Sequence, residues 1–179
     1  MSANINLPRI LRVGAGASRQ LVATLRELGV ERPLLVTDAF MVQQGYCAGL
    51  ESQLKEADID YGLFDQCVPD PTTDCLDEAL SILHAGDFDG VVALGGGSSM
   101  DTAKAVAAMA TLTGKISDYK VPHQIDTGLP IVAIPTTAGT GSEVTRVAII
   151  TDTSSEEKML CMGLGLMPVA ALVDYELTL

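Results

Sequence analysis

Residues 90–105 read GVVALGGGSSMDTAKA, and their order predicts a strand, a tight turn and a helix. The run GVVAL (90–94) is continuously apolar, which is typical of a strand buried on both faces of a sheet. Residues 98–112 favour a helix, because alanine and other good helix formers dominate them. Glycine inside a helix costs about 1 kcal/mol relative to alanine, so three successive glycines predict a break between the two elements.

The same alternation of strand and helix extends along the chain in both directions. The predicted strands cover residues 9–13, 33–38, 59–64, 90–94, 130–135 and 169–174, and the predicted helices cover residues 17–28, 48–57, 74–85 and 98–112. This spacing favours βαβ units, and hence an α/β fold with a parallel sheet covered by helices on both faces. Residues 146–152 and 158–162 flank TSSEE and predict a small β-hairpin. We expect residues 1–179 to form a single domain.

Composition and charge disfavour several classes of partner. The chain has 179 residues, is 47% apolar and carries a formal net charge of −12. Such an acidic chain is repelled by phosphate backbones and anionic lipids, so we expect no nucleic-acid and no membrane partner. The segment MSANINLPRI lacks the basic and apolar regions of a targeting signal, and no apolar run approaches the ~18 residues of a membrane span. A cytoplasmic location is therefore expected.

The cysteines and histidines show no pattern of metal ligands. No C-x-x-C pair occurs, and the histidines match no ligand spacing. A disulfide framework is also unexpected in a chain of this length. We expect no metal site and reduced, structural thiols at these positions: Cys47, Cys67, Cys75, Cys161, His84 and His123.

Three polar or glycine-rich segments follow predicted strands. They are Asp38, the turn Gly95–Ser99, and the loop 136–142, which reads TTAGTGS. Ligands of parallel α/β sheets bind beyond the carboxyl ends of the strands, so we expect the three segments to meet at one edge. The sequence therefore predicts a ligand site at that edge.

The glycine turn predicts an anion site. Glycines let a ligand approach the backbone, and the helix that follows aims unpaired N–H groups and a partial positive charge at the same spot. Ser98 stands three residues before Asp101, as in a capping box, and is the predicted cap of that helix. The alternative is a close crossing of strand and helix that needs small residues only.

The other two segments are open to more than one interpretation. Asp38 could accept hydrogen bonds from a ribose diol and repel a 2′-phosphate, or it could cap a helix or turn. The hydroxyls of Thr136, Thr137, Thr140 and Ser142 could line a ligand or satisfy their own turn. GAGASR (14–19) lacks the third glycine of a dinucleotide fingerprint, and neither a P-loop nor a G-x-S-x-G motif occurs. The residues predict binding, with no proton-transfer machinery.

Together, two longer stretches resemble the iron-dependent (group III) alcohol dehydrogenase family. They are GGGSSMDTAKAVA (95–107) and PTTAGTGSEVTRVAIITD (135–152). Four shorter stretches also occur in the order that the family shows: VTDAF (36–40), VPDPTTD (68–74), EEKM (156–159) and LVDYELTL (172–179). The resemblance covers the chain but only the N-terminal, nucleotide-binding half of the family. It implies a Rossmann-like sheet, NAD as cofactor, and hydride transfer between an alcohol or aldehyde and the nicotinamide.

The resemblance also implies roles for individual residues. Asp38 is similar to an acid that binds the ribose and favours NAD over NADP, and Lys158 to a lysine that reaches the cofactor's ribose. Where the family often has Asn, this chain has Asp70, which adds a negative charge there. The full set of implied cofactor contacts is Asp38, Gly95, Gly96, Gly97, Ser98, Ser99, Thr136, Thr137, Thr140, Ser142, Lys158 and Leu177.

The metal ligands of the family are expected outside this sequence. The resemblance implies one Asp and three His in a helical second domain that begins shortly after position 179, and these would hold iron or zinc. We therefore expect the isolated chain to bind cofactor without turnover, with the C-terminal domain and an alcohol or aldehyde as partners and a homodimer as a candidate assembly. The alternatives are a stand-alone nucleotide-binding module, a lyase similar to dehydroquinate synthase, and an enzyme similar to maleylacetate reductase.

Overall fold

Parallel strands form the central sheet in the computed structural model, which describes residues 5–179. In chain order the strands are β1 (Ile10–Val13), β2 (Pro33–Val36), β3 (Gly62–Phe64), β4 (Gly90–Gly95), β5 (Ile131–Pro135), β6 (Val147–Asp152), β7 (Glu157–Met162) and β8 (Ala170–Val173). Across that part of the chain, six strands pair in the order β1-β8-β5-β4-β2-β3, and every pair is parallel. The prediction of a parallel sheet is confirmed.

The strand predicted from GVVAL lies inside the sheet. β4 pairs with β2 on one side and β5 on the other, and all six of its residues are buried. Its carboxyl end, at Gly95, lies beside Pro135 at the end of β5. The ends of these neighbouring strands therefore bring the glycine turn and the threonine-rich loop together.

Helices cover both faces of the sheet, as the sequence predicts. They are α1 (Leu21–Leu28), α2 (Ala39–Gln43), α3 (Tyr46–Glu56), α4 (Thr73–Ala85) and α5 (Gly97–Met109). α1 and α3 pack on the face that carries Leu35, Val92 and Val132, and α4 and α5 pack on the face that carries Leu34, Val91 and Ile131. The two faces use alternate residues of the same strands, because successive side chains of a strand point in opposite directions.

The predicted hairpin is also present, as an antiparallel pair of β6 and β7. Its inward residues, Ala148 and Ile150 on β6 and Met159 and Cys161 on β7, belong to the same apolar core as α5. Ile149, between the two inward residues of β6, is exposed. The alternation places one face of the hairpin on α5, next to the glycine turn.

The ends of several elements differ from their predicted positions. The predicted helix 17–28 begins as a 3-10 turn (Ala17–Gln20) before α1, and the strand predicted at 59–64 is only three residues long. The helix predicted at 98–112 begins at Gly97 and ends at Met109. Within residues 5–179, no helix is long and apolar enough to cross a membrane.

Candidate functional site

The main cavity of the described structure lies at the carboxyl edge of the sheet. It has a volume of about 610 Å³ and is enclosed by the segments that follow β2, β3, β4 and β5. Seven of the predicted contact residues line it: Asp38, Gly96, Gly97, Ser98, Ser99, Thr136 and Thr137. The expectation that three separate segments meet at one edge is therefore confirmed for Asp38, the glycine turn and the first two threonines.

The N-terminus of α5 opens into this cavity. Gly96 is the N-cap residue, and no side chain in the described part of the chain caps the helix. The prediction that Ser98 caps α5 is wrong: Ser98 is the second residue of the helix, because the helix begins one residue earlier than predicted. The first N–H groups of an α-helix have no partner within the helix, so here they are available to an anion in the cavity.

Gly95 is favoured by its backbone conformation, and Gly96 by the space around it. Gly95 has φ +139°, and a Cβ atom there would lie 2.7 Å from Ser99 Oγ. A Cβ atom at Gly96 would lie 3.0 Å from Thr137 Oγ1. Side chains at these two positions would crowd Ser99 and Thr137, and their absence leaves the backbone of the turn open to the cavity.

Asp38 serves as a helix cap as well as a wall of the cavity. Its Oδ1 accepts a hydrogen bond from Met41 N at 3.1 Å, which caps α2, and its Oδ2 accepts one from Ser99 Oγ at 3.0 Å. The second bond joins the loop after β2 to the first turn of α5. The structure therefore confirms that Asp38 is a helix cap, while its role as a ligand group stays a prediction that its place in the cavity wall allows.

Ser142 points into the protein and does not line the main cavity. Its Oγ accepts a hydrogen bond from Lys104 Nζ at 2.8 Å and donates one to Asp101 Oδ1 at 2.9 Å. The fully buried Lys104 ammonium also donates to Thr145 Oγ1 at 3.1 Å and to the Val147 carbonyl at 2.8 Å. Asp101 and Lys104, both on α5, thus hold the end of the threonine loop and the start of β6.

Burial lowers the pKa of Lys104 to about 8, although the nearby carboxylates of Asp101 and Glu143 act in the opposite direction. Thr140 takes part in the same loop, where its Oγ1 accepts from Ser142 N at 3.3 Å. Its methyl group lies 3.6 Å from the position that a Cβ atom on Gly97 would take. Thr140 and Ser142 therefore shape the loop from behind rather than forming the surface of the main cavity.

Lys158 and Leu177 lie outside the main cavity. Lys158 Nζ is 2.9 Å from Asp70 Oδ1, and both side chains are exposed. Asp70 follows Pro69, which lines the main cavity, so the ammonium is held near the cavity wall. Leu177 lines a second cavity of about 450 Å³, together with Ser18 and Asp174 among others.

Asp174 is a structural residue at this edge of the sheet that sequence reasoning missed. Its buried carboxylate accepts from Gly16 N at 3.0 Å, Ser18 N at 3.2 Å and Ser18 Oγ at 2.6 Å. The GAGASR turn thus binds a carboxylate of the chain itself where a dinucleotide fingerprint would bind phosphate. An acidic residue at the end of the predicted strand 169–174 was the available signal.

The hydrogen bonds at Asp174 change its acidity. Burial alone would raise the pKa, but the donors from Ser18, Gly16 and Glu176 together hold the pKa of Asp174 below its ordinary value. The carboxylate is therefore charged at neutral pH and fixes the end of β8 to the turn after β1.

No group of three or more His, Cys, Asp or Glu residues within the described range 5–179 is arranged to hold a metal ion. The residues around the cavity offer groups that bind a ligand: backbone N–H groups, hydroxyls, a carboxylate and apolar side chains.

The sheet order, the two helical layers and the glycine turn define a Rossmann-like α/β domain. The chain belongs to the iron-containing alcohol dehydrogenase family, whose model matches residues 8–175. The resemblance given by the sequence motifs is thereby confirmed.

Relatives of the chain are longer than the chain itself. It is 37% identical over 175 residues to the NAD-dependent methanol dehydrogenase of Bacillus methanolicus, a match that covers 97% of this chain and 46% of that protein. The alcohol dehydrogenase of Oenococcus oeni superposes with a TM-score of 0.93 at 27% identity, over 99% of this chain and 47% of its own. The sulfoacetaldehyde reductase of Bifidobacterium kashiwanohense, solved in complex with NAD+, superposes with a TM-score of 0.90 at 32% identity. This match covers 99% of this chain and 47% of the reductase chain. The chain spans about half the length of the relatives it matches.

Proposed function

We propose that residues 1–179 form a single NAD(H)-binding domain of an NAD-dependent alcohol dehydrogenase. The whole protein would transfer hydride between an alcohol or aldehyde and the nicotinamide, and this domain would hold the coenzyme. The observation that carries the proposal is the uncapped N-terminus of α5, which opens through Gly96 and Gly97 into a cavity of about 610 Å³.

The residues of the main cavity fit a dinucleotide. The free N–H groups of α5 suit a pyrophosphate, since a helix N-terminus presents donors and a partial positive charge together. Asp38 lies across the same cavity, where a carboxylate can accept hydrogen bonds from a ribose diol. Its charge opposes a 2′-phosphate, so the proposed coenzyme is NAD rather than NADP. The cavity volume is within the ~300–1,000 Å³ common for small-ligand sites.

Four further contacts are proposed, at Thr136, Thr137, Lys158 and Leu177. Thr136 and Thr137 line the cavity beside the glycine turn and would adjoin the pyrophosphate and nicotinamide, with Thr140 and Ser142 holding their loop in place. Lys158 would reach the ribose from its position beside Asp70. The contact proposed for Leu177 rests on the family resemblance alone.

The coenzyme supplies the hydride acceptor or donor, and the described residues bind and orient it. The iron that the family name implies, or zinc in its place, does not fit these residues, because they offer no ligand cluster. We propose that the metal and substrate are held by a C-terminal domain, and that residues 1–179 alone bind coenzyme without turnover.

A homodimer is also proposed. β1 forms one edge of the six-stranded sheet, and Leu11 and Val13 on that strand are 49% and 67% exposed. A second copy of the chain could cover this apolar edge, which light scattering would show as twice the monomer mass.

The test of the coenzyme proposal is a fluorescence titration of the chain with NADH. Gly97→Ala adds a methyl group at the cavity without crowding, since its nearest neighbour would be 3.6 Å away, and the first helical position tolerates alanine. We expect this variant to bind NADH about tenfold more weakly, because the methyl group crowds the first N–H groups of α5, which the phosphate must approach.

Gly49→Ala, on the exposed surface of α3, is the matched control, because a Cβ atom there meets nothing within 4 Å. Its NADH affinity should equal that of the parent chain. Equal binding by all three proteins would contradict the proposed pyrophosphate site.

A further inference from the structure

A fully buried lysine lies behind the proposed coenzyme site. Lys104 on α5 has no exposed surface and does not line the main cavity. Asp101 Oδ1 is 3.9 Å from its Nζ, which is beyond hydrogen-bond distance. Burying an ammonium group costs free energy that its partners must offset, and an apolar side chain of similar volume would avoid that cost. The charge at this position therefore calls for a reason beyond packing.

The hydrogen-bond partners of Lys104 all lie on the segment that follows β5. Its Nζ donates to Ser142 Oγ at 2.8 Å, to Thr145 Oγ1 at 3.1 Å and to the Val147 carbonyl at 2.8 Å. Lys104 stands about two helical turns after Gly97, the first residue of α5. The bonds therefore connect the helix that begins at the glycine turn to the far end of the threonine loop.

The threonine loop is held mainly at its two ends. At its start, Thr136 N donates to the Gly95 carbonyl at 3.0 Å, and at its end Ser142 is bonded to the lysine ammonium. Residues 137–140, between these ends, are exposed. An exposed segment with few buried contacts is fixed chiefly by its anchors. The position of Thr137 in the cavity wall therefore depends on the bonds at Ser142.

We propose that Lys104 is a positioning residue for coenzyme binding: its ammonium holds Ser142, and Ser142 keeps Thr137 at the distance from the glycine turn that the coenzyme requires. Thr137 lies close to that turn, since a Cβ atom on Gly96 would be 3.0 Å from its Oγ1. Lys104 itself touches no ligand. The inference rests on the proposed function, because the quantity that Lys104 affects is the affinity of this site for NADH.

The three bonds depend on the proton of Lys104. An ammonium group has three N–H donors, whereas a neutral amine has two, so the neutral form cannot hold all three oxygens. Burial lowers the pKa of Lys104 to about 8, although the carboxylates of Asp101 on α5 and of Glu143, next to the loop, act to raise it. Cys161 on β7, in the same apolar core, stays a thiol because burial raises its pKa to about 11.

Coenzyme affinity should depend on pH for this reason. Below about pH 8 the Lys104 ammonium is charged and keeps all three bonds. As the pH rises through that value, the group loses a proton and one bond, and the end of the threonine loop loosens. NADH affinity should therefore fall with rising pH, and bound NADH should in turn raise the pKa of Lys104.

The test measures NADH affinity by fluorescence, at neutral pH and at about pH 9.5, for the parent chain and for Lys104→Met. Methionine is flexible, unbranched and similar in size to lysine, but it has no charge and no donor. We expect the variant to bind NADH about tenfold more weakly at neutral pH and equally at both pH values. The parent should lose about tenfold in affinity between them. Lys55→Met, which removes a charge from the exposed surface of α3, is the control and should follow the parent.

Two results would overturn the proposal: a folded Lys104→Met chain that binds NADH as the parent does, or a parent affinity that does not change with pH. If Lys104→Met does not fold, Ser142→Ala takes its place, since it removes the hydroxyl that the ammonium holds. It should weaken NADH binding by a similar factor, and an affinity equal to that of the parent would count against the proposal in the same way.

A parent chain that fails to bind NADH would refute the proposed function separately. The positioning role is then decided by backbone amide NMR without coenzyme. Thr136 and Thr137 should shift between the parent and the Lys104→Met or Ser142→Ala chain, and unmoved signals would show that Lys104 does not position the loop.

Discussion

At the scale of single residues, Asp38 connects two elements and faces the proposed coenzyme. One oxygen caps α2 and the other accepts from Ser99 on α5, so the carboxylate is fixed before any ligand arrives. A fixed group loses little conformational entropy on binding, which favours affinity for a ligand that matches its position. The charge of Asp38 and its capping oxygen can be tested separately.

The substitution Asp38→Asn removes the charge and keeps the oxygen that caps α2. We expect the preference for NADH over NADPH to narrow roughly tenfold, because the repulsion of a 2′-phosphate is lost. Thermal unfolding should be almost unchanged, since Asn is an equally good cap. Titrations of the parent chain and of the variant with both coenzymes give the ratio of the two dissociation constants. An unchanged ratio would show that Asp38 does not select the coenzyme.

At the scale of elements, Asp174 ties the end of β8 to the turn after β1. Asp174→Asn keeps the shape of the side chain but removes its charge and one acceptor, so a buried N–H or hydroxyl loses its partner. We expect the free energy of unfolding to fall by about 1–3 kcal/mol. Asp77→Asn, exposed on α4, is the control and should be neutral.

The same contact gives a pH dependence. The folded state lowers the pKa of Asp174 below its ordinary value of 3.8, so the unfolded chain binds the proton first as the pH falls. The stabilisation is therefore complete above pH 3.8 and is lost as the pH falls through the lower folded value. Denaturant unfolding across this range should show the parent chain and Asp174→Asn converging in stability at acid pH; a constant difference would contradict the assignment.

Local pattern was sufficient to predict most elements and the location of the site. The apolar run before the glycines predicts β4, and the strand-end rule predicts that Asp38, the glycine turn and Thr136 meet. The direction of Ser142 could not be predicted, because it depends on Lys104, a cation that α5 buries 38 residues earlier in the chain. Likewise, the helix start at Gly97, with Gly96 rather than Ser98 as the N-cap residue, could not be read from the local sequence.

At the scale of the whole molecule, the chain carries a net charge of −12 and is proposed to bind an anionic coenzyme. The net charge of the chain repels an anion at long range, so long-range electrostatic attraction cannot account for such binding. The binding must come from nearby hydrogen-bond donors that water does not screen. The uncapped end of α5 supplies them, whereas the comparable turn at Gly16 is occupied by Asp174. Of these two turns, the one at α5 is therefore open to a ligand, and the one at Gly16 is filled by a carboxylate of the chain itself.

The central claim is that NADH binds with its pyrophosphate at the N-terminus of α5. Backbone amide NMR of the chain during an NADH titration tests this most directly, since it reports each N–H group separately. We predict that the largest shifts occur at Gly96, Gly97, Ser98 and Ser99, and that Gly16 and Ser18 shift little. No shifts in the glycine turn at saturating NADH, or larger shifts at Gly16 and Ser18 than in that turn, would contradict the account.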